Sequence, residues 1–278
     1  MNNDDMIEYW NGDAGRKWVD QSNFLDSMLA PFADQVLHGA AIQTGERALD
    51  IGCGAGILTL EATTRAGGGA GSLGVDVSAP LLELARQRAS ERGSLATFEQ
   101  ADASAYTVTE KLDLMISRFG VMFFERPAEA FANIRAQIRP GGRLAFICWQ
   151  ALPLNDWAFA PFQAALPLLK QAPPSPDPTA PGPFAFADKD RVAGLLTEAG
   201  WKSVSIEAFE PEIALPGNDV ETSARFMLEL GPLSRLVAEQ DLDPKSILEA
   251  VMARLDASSN AQGQVSMSSA CWLVRANT

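Results

Sequence analysis

A short apolar run at residues 48–51 leads directly into three alternate glycines, Gly52, Gly54 and Gly56, and then into a helical stretch. Glycine allows a tight backbone turn and a close approach to a ligand, because no Cβ intrudes. The first turn of the following helix offers unpaired backbone N–H groups. A strand, a glycine loop and a helix in this order predict a site for an adenosine-containing ligand. The alternative is a glycine turn without a ligand.

Short apolar runs recur along the first half of the chain, with amphipathic helical stretches between them. Runs of this kind are typical of buried strands, and they lie at residues 47–51, 72–76, 96–100, 112–117 and 143–149. Ser78 is placed to cap one intervening helix, and Pro127 opens another that a turn at 140–142 closes. Alternation of strands and helices predicts an α/β fold with a parallel sheet and right-handed crossovers.

The segments on either side of this region follow other patterns. The N-terminal residues predict two helical pieces, the second with an apolar face formed by Phe24, Met28, Phe32 and Val36, and with His38 on the exposed side. Two more strands are predicted at 204–209 and 265–274, with helices at 220–230 and 243–255 between them, and Asp188 is placed to cap a further short helix.

Residues 167–183 carry seven of the chain's 17 prolines. Such a density is incompatible with a helix or a central strand. We expect an exposed connector, and the alternative is the flank of a lid over a pocket.

Charge and hydropathy exclude several classes of partner. Lys and Arg number 22 against 35 Asp and Glu, and the formal net charge of −13 argues against nucleic acid, which is bound mainly through basic residues. No run approaches the ~20 apolar residues of a membrane span. The opening MNNDDMIEYW lacks the basic and apolar regions of a secretory signal, so we expect a cytoplasmic protein.

Cysteine and histidine are scarce. Cys53, Cys148 and Cys271 are widely separated and show no C-x-x-C spacing, which argues against both a disulfide framework and a thiolate zinc site. His38 is the chain's only histidine, so a His-rich metal site within the chain is excluded. We therefore expect no bound metal.

Three aspartates follow successive predicted strands at equal spacing. Asp76 comes 26 residues after Asp50, and Asp102 comes 26 residues after Asp76. The carboxyl ends of parallel strands share one edge of the sheet, where open α/β sheets bind their ligands. Each acid alone could be a helix cap or a surface residue, but all three together favour a ligand site. An acid in the position of Asp76 can accept both ribose hydroxyls.

The glycine spacing departs from the dinucleotide fingerprint G-x-G-x-x-G, because Ile57 stands where the last glycine belongs. The segments LDIGCGAG, GVDVS, QADA, LDLMISRFGVMFF and IRPGGRLAF instead resemble, in order and spacing, the motifs of class I S-adenosylmethionine-dependent methyltransferases. The resemblance covers residues 45–149. It is best for the subgroup around the ubiquinone/menaquinone biosynthesis methyltransferases, which have the type 11 methyltransferase domain.

The resemblance implies a Rossmann-like seven-stranded sheet with helices on both faces. The sheet would be parallel except for one strand near the edge, the seventh, which inserts between the fifth and sixth. The whole chain, 1–278, would form a single domain. Its parts would be an N-terminal helical cap at 1–44, the cofactor-binding core at 45–150, a Pro-rich connector and helix at 151–203, and a C-terminal hairpin at 204–278 with a helical insertion at 218–262.

The resemblance also implies which residues bind the methionine part of the cofactor. Gly52, Cys53 and Gly54 would present their backbone to it, and Asp50 would hold the loop or reach the amino group through water. Ser117 and Arg118, at the end of the fourth strand, would lie beside the same part.

The nucleoside would be held by a second group of residues. Asp76 would bind the ribose hydroxyls, and Val77 would pack on the adenine. Asp102 would accept the adenine amino group, while the Ala103 N–H donates to the ring. Trp18 corresponds to an aromatic residue that closes over the cofactor in related enzymes, and the alternative for Trp18 is simple helix packing.

The function implied is methyl transfer from S-adenosyl-L-methionine to a small-molecule oxygen, nitrogen or carbon atom, which leaves S-adenosyl-L-homocysteine. In-line transfer from a sulfonium needs little acid–base machinery, and the sequence identifies no catalytic residue. One alternative is a protein on the same fold that binds the cofactor without transfer. A nicotinamide-dependent oxidoreductase is disfavoured by Ile57. Nucleic-acid methylation is disfavoured by the acidic charge and by the segment Ser117-Arg118-Phe119-Gly120, which differs from the Asn/Asp-Pro-Pro-aromatic motif.

Overall fold

The structure, a computed structural model, describes residues 3–171, 177–230 and 233–278. The described strands are β1 (Ala48–Ile51), β2 (Leu73–Asp76), β3 (Thr97–Gln100), β4 (Leu112–Arg118), β5 (Ile138–Trp149), β6 (Lys202–Phe209), β7 (Glu212–Ala214), β8 (Ser266–Ser268) and β9 (Cys271–Asn277). The described α-helices are α1 (Asn3–Asn11), α2 (Asp13–Asp20), α3 (Ser22–Met28), α4 (Ala30–Ala40), α5 (Ile57–Arg65), α6 (Ala79–Glu91), α7 (Pro127–Gln137), α8 (Asp156–Ala165), α9 (Lys189–Glu198), α10 (Val220–Leu230), α11 (Leu233–Glu239) and α12 (Pro244–Asp256).

The main sheet confirms the predicted fold class. Within the described ranges it has seven strands in the order β3-β2-β1-β4-β5-β9-β6. All neighbouring pairs from β3 to β5 are parallel, and β9 pairs antiparallel with both β5 and β6. The chain winds outward in both directions from β1 and β4, so the crossovers diverge at this point and leave a crevice at the carboxyl ends of these two strands.

The centre of the sheet is apolar because it is covered on both faces. All four residues of β1 are buried, and so are Leu114, Met115 and Ile116 of β4. Fully buried strands of this kind read as continuous hydrophobic runs, which is why the sequence pattern found them. The rigid centre of the sheet thus carries the crevice.

The N-terminal cap differs from the two predicted helical pieces, because it consists of four short helices, α1–α4. The predicted apolar face is interrupted at Leu29, which separates α3 from α4, and Pro31 lies in the first turn of α4. Phe24 is consequently 50% exposed, whereas Phe32 and Val36 are buried. His38 is exposed in the last turn of α4, as expected.

Two strand predictions were wrong in their boundaries. β5 begins at Ile138, and the predicted turn at 140–142 forms an irregularity inside it, since Ile138 pairs with Leu112 but Arg143 pairs with Leu114. The single strand predicted at 265–274 is divided into β8 and β9. β8 pairs with β7, which was not predicted, in a separate two-stranded sheet. The Ser269 hydroxyl, at the break, donates to the carbonyl of Pro211.

The Pro-rich segment is described in part. Pro173, Pro174 and Pro176 lie outside the described residues, so the prediction for this stretch remains untested. Where the segment re-enters the fold, the Gly182 N–H donates to the Met122 carbonyl at 3.1 Å, and Phe186 is buried.

No helix in the part of the chain that the structure describes is long and apolar enough to cross a membrane.

The loops that follow β1 and β4 touch through their backbones. A Cβ on Gly52 would lie 2.7 Å from the Cα of Gly120, and a Cβ on Gly120 would collide with the carbonyl oxygen of Ile51. These obstacles are backbone atoms, which cannot rotate away as a side chain can. Glycine at both positions therefore allows the two loops to form one continuous floor at the crevice.

We predict that Gly120→Ala lowers the free energy of unfolding by about 2 kcal/mol, because the added methyl overpacks this contact. Urea denaturation measures the change. The control is Gly194→Ala, since a Cβ at Gly194, inside α9, would meet nothing within 4 Å. There we expect no loss and a gain of up to about 1 kcal/mol from helix propensity. Equal changes in the free energy of unfolding of the two variants would contradict the inference that the contact between the loops requires glycine at position 120.

Candidate functional site

A cleft of about 580 Å³, including its mouth, lies between the N-terminal cap and the carboxyl ends of β1 and β4. Three parts of the chain supply its walls: the cap, the loop after β1 with the start of α5, and the end of β4. Its lining residues are Trp18, Ser22, Leu25, Asp26, Leu29, Asp50, Gly52, Cys53, Gly54, Ala55, Leu58, Leu81, Arg118 and Phe119.

The glycine loop adopts the conformation that its sequence predicts. Gly52, Gly54 and Gly56 have φ values of +66°, +52° and +82°, which strain residues with a Cβ. A Cβ on Gly56 would lie 2.8 Å from the ring of Phe98, whereas a Cβ on Gly54 would meet nothing within 4 Å. Gly56 thus packs the loop against the fold, and the space around Gly54 leaves its backbone accessible from the cleft.

Asp50, the last residue but one of β1, lies beneath the loop and is completely buried. Its Oδ2 accepts the Thr59 hydroxyl at 2.6 Å, while its Oδ1 has no hydrogen-bond partner within the described structure. Burial raises the pKa of Asp50 from its ordinary 3.8 to about 7, against the opposing effects of the Thr59 hydrogen bond and the Arg118 charge. A buried carboxylate with one free oxygen is suited to a cationic group.

Asp76, at the end of β2, shapes the same loop from the other side. Its Oδ2 accepts the Gly54 N–H at 2.7 Å, and its Oδ1 accepts the Ser78 N–H at 2.8 Å. Burial raises the pKa of Asp76. Ser78 stands at the N-cap position of α6, but the predicted cap bond is absent there, because its hydroxyl donates to the Trp10 carbonyl instead.

The residues predicted to hold adenine lie beside the cleft, where α1 covers them. Asp102 accepts the Asn3 side-chain amide at 2.9 Å as well as the N–H and hydroxyl of Ser104. The Val77 carbonyl accepts the Asn11 amide at 2.9 Å, and Ala103 is buried. None of these residues, nor Asp76, is part of the cleft lining.

The two predicted residues of β4 have different surroundings. Ser117 is buried below the cleft, where its hydroxyl donates to the Ile51 carbonyl at 2.7 Å and accepts the Gly120 N–H at 3.2 Å. Ser117 therefore joins the two loops and does not line the cleft. Arg118 does line it, with one long hydrogen bond to the Leu29 carbonyl at 3.5 Å and, among the described side chains, no ion pair within 4 Å.

Two aromatic rings border the cleft. Trp18, from α2, packs edge-to-face on Trp10 at 5.3 Å, so it both lines the cleft and packs between helices. Phe119 follows β4 with a φ of +66°, an uncommon conformation for a bulky residue. Its ring stacks on Trp149 at 4.1 Å. Strain of this kind is often found at functional sites, and here it turns Phe119 towards the cleft.

Comparison with known proteins agrees with this geometry. Residues 48–142 match the family described as "Methyltransferase domain", and this stretch contains the glycine loop, Asp76, Asp102 and Arg118. Over residues 48–142, the chain is therefore similar to a methyltransferase domain. The resemblance inferred from the sequence motifs is thereby confirmed.

The matches to individual relatives cover only part of each chain. The chain is similar to an uncharacterized protein of Mycobacterium tuberculosis, with 30% identity over 131 residues, 47% of each chain. It is also similar to a ubiquinone biosynthesis O-methyltransferase of Methylococcus capsulatus, with 30% identity over 139 residues, 49% of this chain and 57% of that protein. The chain thus spans about half the length of the curated relatives it matches.

A solved structure shows the shared fold over almost the whole chain. Phosphoethanolamine N-methyltransferase 2 of Haemonchus contortus, in complex with S-adenosyl-L-methionine, matches 98% of this chain and 59% of its own at a TM-score of 0.59. The sequence identity is 13%, so the likeness concerns the fold alone.

Sequence reasoning missed Asp26, a residue of the cleft lining that the cap supplies. No local pattern distinguishes it, because its partner, Arg88, is distant in sequence and meets it at 2.8 Å only in the folded chain.

Across residues 3–171, 177–230 and 233–278, no group of three or more His, Cys, Asp or Glu side chains is arranged to hold a metal ion.

We predict that Asp50→Asn changes how stability depends on pH. The folded-state pKa of Asp50 is raised to about 7, so between about pH 4 and 7 the folded wild type binds a proton that the unfolded chain releases. Wild-type stability should therefore fall with rising pH across this window, relative to the variant. Urea denaturation at several pH values measures the difference. If the free energy of unfolding depended on pH in the same way for the wild type and the variant, the raised pKa of Asp50 would be contradicted.

Proposed function

We propose that the chain transfers the methyl group of S-adenosylmethionine to a small-molecule acceptor by in-line displacement. One observation carries this proposal: two groups border the same cleft beside the glycine loop, the Oδ1 of Asp50, which has no hydrogen-bond partner within the described structure, and the Arg118 guanidinium, which forms no ion pair within 4 Å with the described side chains. A carboxylate oxygen and a guanidinium with bonding capacity of this kind are complementary to the ammonium and carboxylate of a free amino acid. The methionine part of the cofactor is such a group.

The residues present fit the cofactor as follows. Asp50 would hold the ammonium group, Arg118 the carboxylate, and the backbone of the glycine loop the chain between them. Asp76 already accepts two backbone N–H groups, and each of its oxygens retains a lone pair for a ribose hydroxyl. Asp102 would accept the adenine amino group in place of the Asn3 amide that it accepts now.

The bound cofactor supplies an electrophilic methyl group on a sulfonium. What the protein contributes is alignment and exclusion of water, which together can lower a barrier by up to ~7 to 11 kcal/mol. Leu25, Leu29 and Leu58 give the cleft apolar walls that exclude water. Trp18 and Phe119 present aromatic rings, which favour a cation such as a sulfonium.

Apart from Asp50, which the proposal assigns to the ammonium group of the cofactor, the titratable groups of the cleft offer little general-base catalysis. Asp26 is paired with Arg88, and Arg118 is a cation. Burial raises the pKa of the Cys53 thiol well above its ordinary value, which keeps it protonated. The acceptor is therefore a group that is nucleophilic when it binds, such as an amine, a thiolate or a readily ionised phenol.

We predict that Asp76→Ala weakens the binding of S-adenosylhomocysteine by about 2 kcal/mol, through loss of charge-assisted hydrogen bonds to the ribose. Titration calorimetry measures the dissociation constant. Glu99→Ala is the control, because Glu99 is an exposed acid on the adjacent strand β3. An unchanged constant in the Asp76 variant would overturn the ribose assignment, and a wild type without affinity for the ligand would overturn the proposed function.

Transfer itself is tested with S-adenosylmethionine and a panel of phenols, quinones, amines and thiols. We expect release of S-adenosylhomocysteine only when a suitable acceptor is present, with the methylated product identified by mass spectrometry. Tight cofactor binding without transfer to any of these classes would favour a binding protein on the same fold.

We predict that binding of S-adenosylhomocysteine near pH 6 to 7 releases a proton from Asp50, because the ligand ammonium lowers the raised pKa of this residue. Calorimetry in buffers of different ionisation enthalpy measures the release. 5′-Methylthioadenosine lacks the amino-acid part and should release none, and Asp50→Asn should abolish the release by S-adenosylhomocysteine. Equal release by the two ligands would contradict the placement of the ammonium beside Asp50.

A further inference from the structure

Arg88, on α6, contacts two walls of the cleft from outside it. Its Nη2 lies 2.8 Å from Oδ2 of Asp26 in α3, and its Nη1 donates to the Ala55 carbonyl at 3.1 Å. Asp26 belongs to the cap and Ala55 to the glycine loop, and both line the cleft. Arg88 itself is not part of the lining. One guanidinium thus joins the upper and lower walls of the proposed cofactor site.

Other polar contacts of the cap reach other parts of the fold. Asn11 and Trp10 bond to the connection between β2 and α6 and to the start of α6, Asn3 bonds to Asp102, and the Leu29 carbonyl accepts one long bond from Arg118. Within residues 3–171, 177–230 and 233–278, Arg88 contacts both the cap, through an ion pair, and the glycine loop, through a hydrogen bond. The fork geometry of a guanidinium permits this double contact, which a single ammonium satisfies less well.

The Asp26–Arg88 pair is largely removed from water. The side chains of Arg88 and Asp26 are 13% and 22% exposed, respectively. Arg92, four residues further along the chain, forms a comparable pair with Glu61 of α5, but these two side chains are 46% and 41% exposed. An exposed ion pair contributes little to stability. Removing one partner of a largely buried pair costs more, because it leaves the other charge uncompensated.

We propose that Arg88 is a positioning residue that couples the cap to the glycine loop and thereby retains the cofactor. This inference depends on the proposed function, because it takes the cleft as the S-adenosylmethionine site. A ligand held between Trp18, Leu25 and Leu29 above and Gly52 and Gly54 below leaves only if these walls separate. Separation of α3 from the loop breaks the Asp26–Arg88 pair, so this pair opposes release.

The test measures the dissociation rate of S-adenosylhomocysteine by chase of labelled ligand. Arg88→Met and Asp26→Asn should each accelerate release about tenfold, and the double variant should be no faster than either single one, because both remove the same contact. Arg92→Met, which removes the exposed pair on the same helix, should stay within about twofold of the wild type. Arg88→Lys retains the charge but loses the bond to Ala55, so it should give an intermediate rate.

A purely structural role would lower the free energy of unfolding without a coupled change in release. Urea denaturation of each variant distinguishes the structural role from the positioning role. If Arg88→Met does not fold, Arg88→Lys is the variant on which release is measured. Additive effects of Arg88→Met and Asp26→Asn on release, or unchanged rates, would overturn the inference. In either case a wild type that binds S-adenosylhomocysteine leaves the proposed function standing, whereas a wild type that does not bind it removes both.

Discussion

The backbone contact between Gly52 and Gly120 holds the site together. It brings the loop after β1 against the loop after β4, at the place where the winding of the sheet diverges. Ser117 reinforces the contact from below through bonds to both loops. With this floor fixed, Asp50 and Arg118 border one cleft, although they are far apart in sequence. The chemistry of the cleft therefore depends on two positions that tolerate no side chain.

The cleft maintains charges that the fold does not neutralise. Asp50 is buried with one oxygen unpartnered in the described structure, and Arg118 forms no ion pair within 4 Å with the described side chains, although the charges of Asp26 and Asp50 act on it. Both arrangements cost stability in the free protein, since buried charge requires compensation. Under the proposed function, the zwitterionic part of the cofactor would supply partners for both groups. The two groups that cost stability would then contribute to binding.

The sequence predicted those features that local pattern determines. The buried strands and the tight turn at Gly52, Gly54 and Gly56 follow from short segments, and the order of the sheet follows from the resemblance of the motifs to a known family. Features that depend on distant partners were not predictable. Asp26 acquires its role from Arg88, and Ser117 turns inward because β1 and β4 are neighbours. Short-range periodicity also could not separate β8 from β9, since their division depends on pairing with β7.

The pairing of β7 with β8 gives the C-terminal region a modular construction. Helices α10–α12 leave the fold after β7 and return into β8, and these two strands hydrogen-bond to each other. The ends of the excursion are therefore adjacent in space, so its length has little influence on how β6 and β9 join the main sheet. The faces of α10 and α12 are more constrained than the length of the excursion, because α10 packs on α2, which carries Trp18, and α12 packs on α8. A rearrangement of these helices would therefore reach the wall of the cleft through α2.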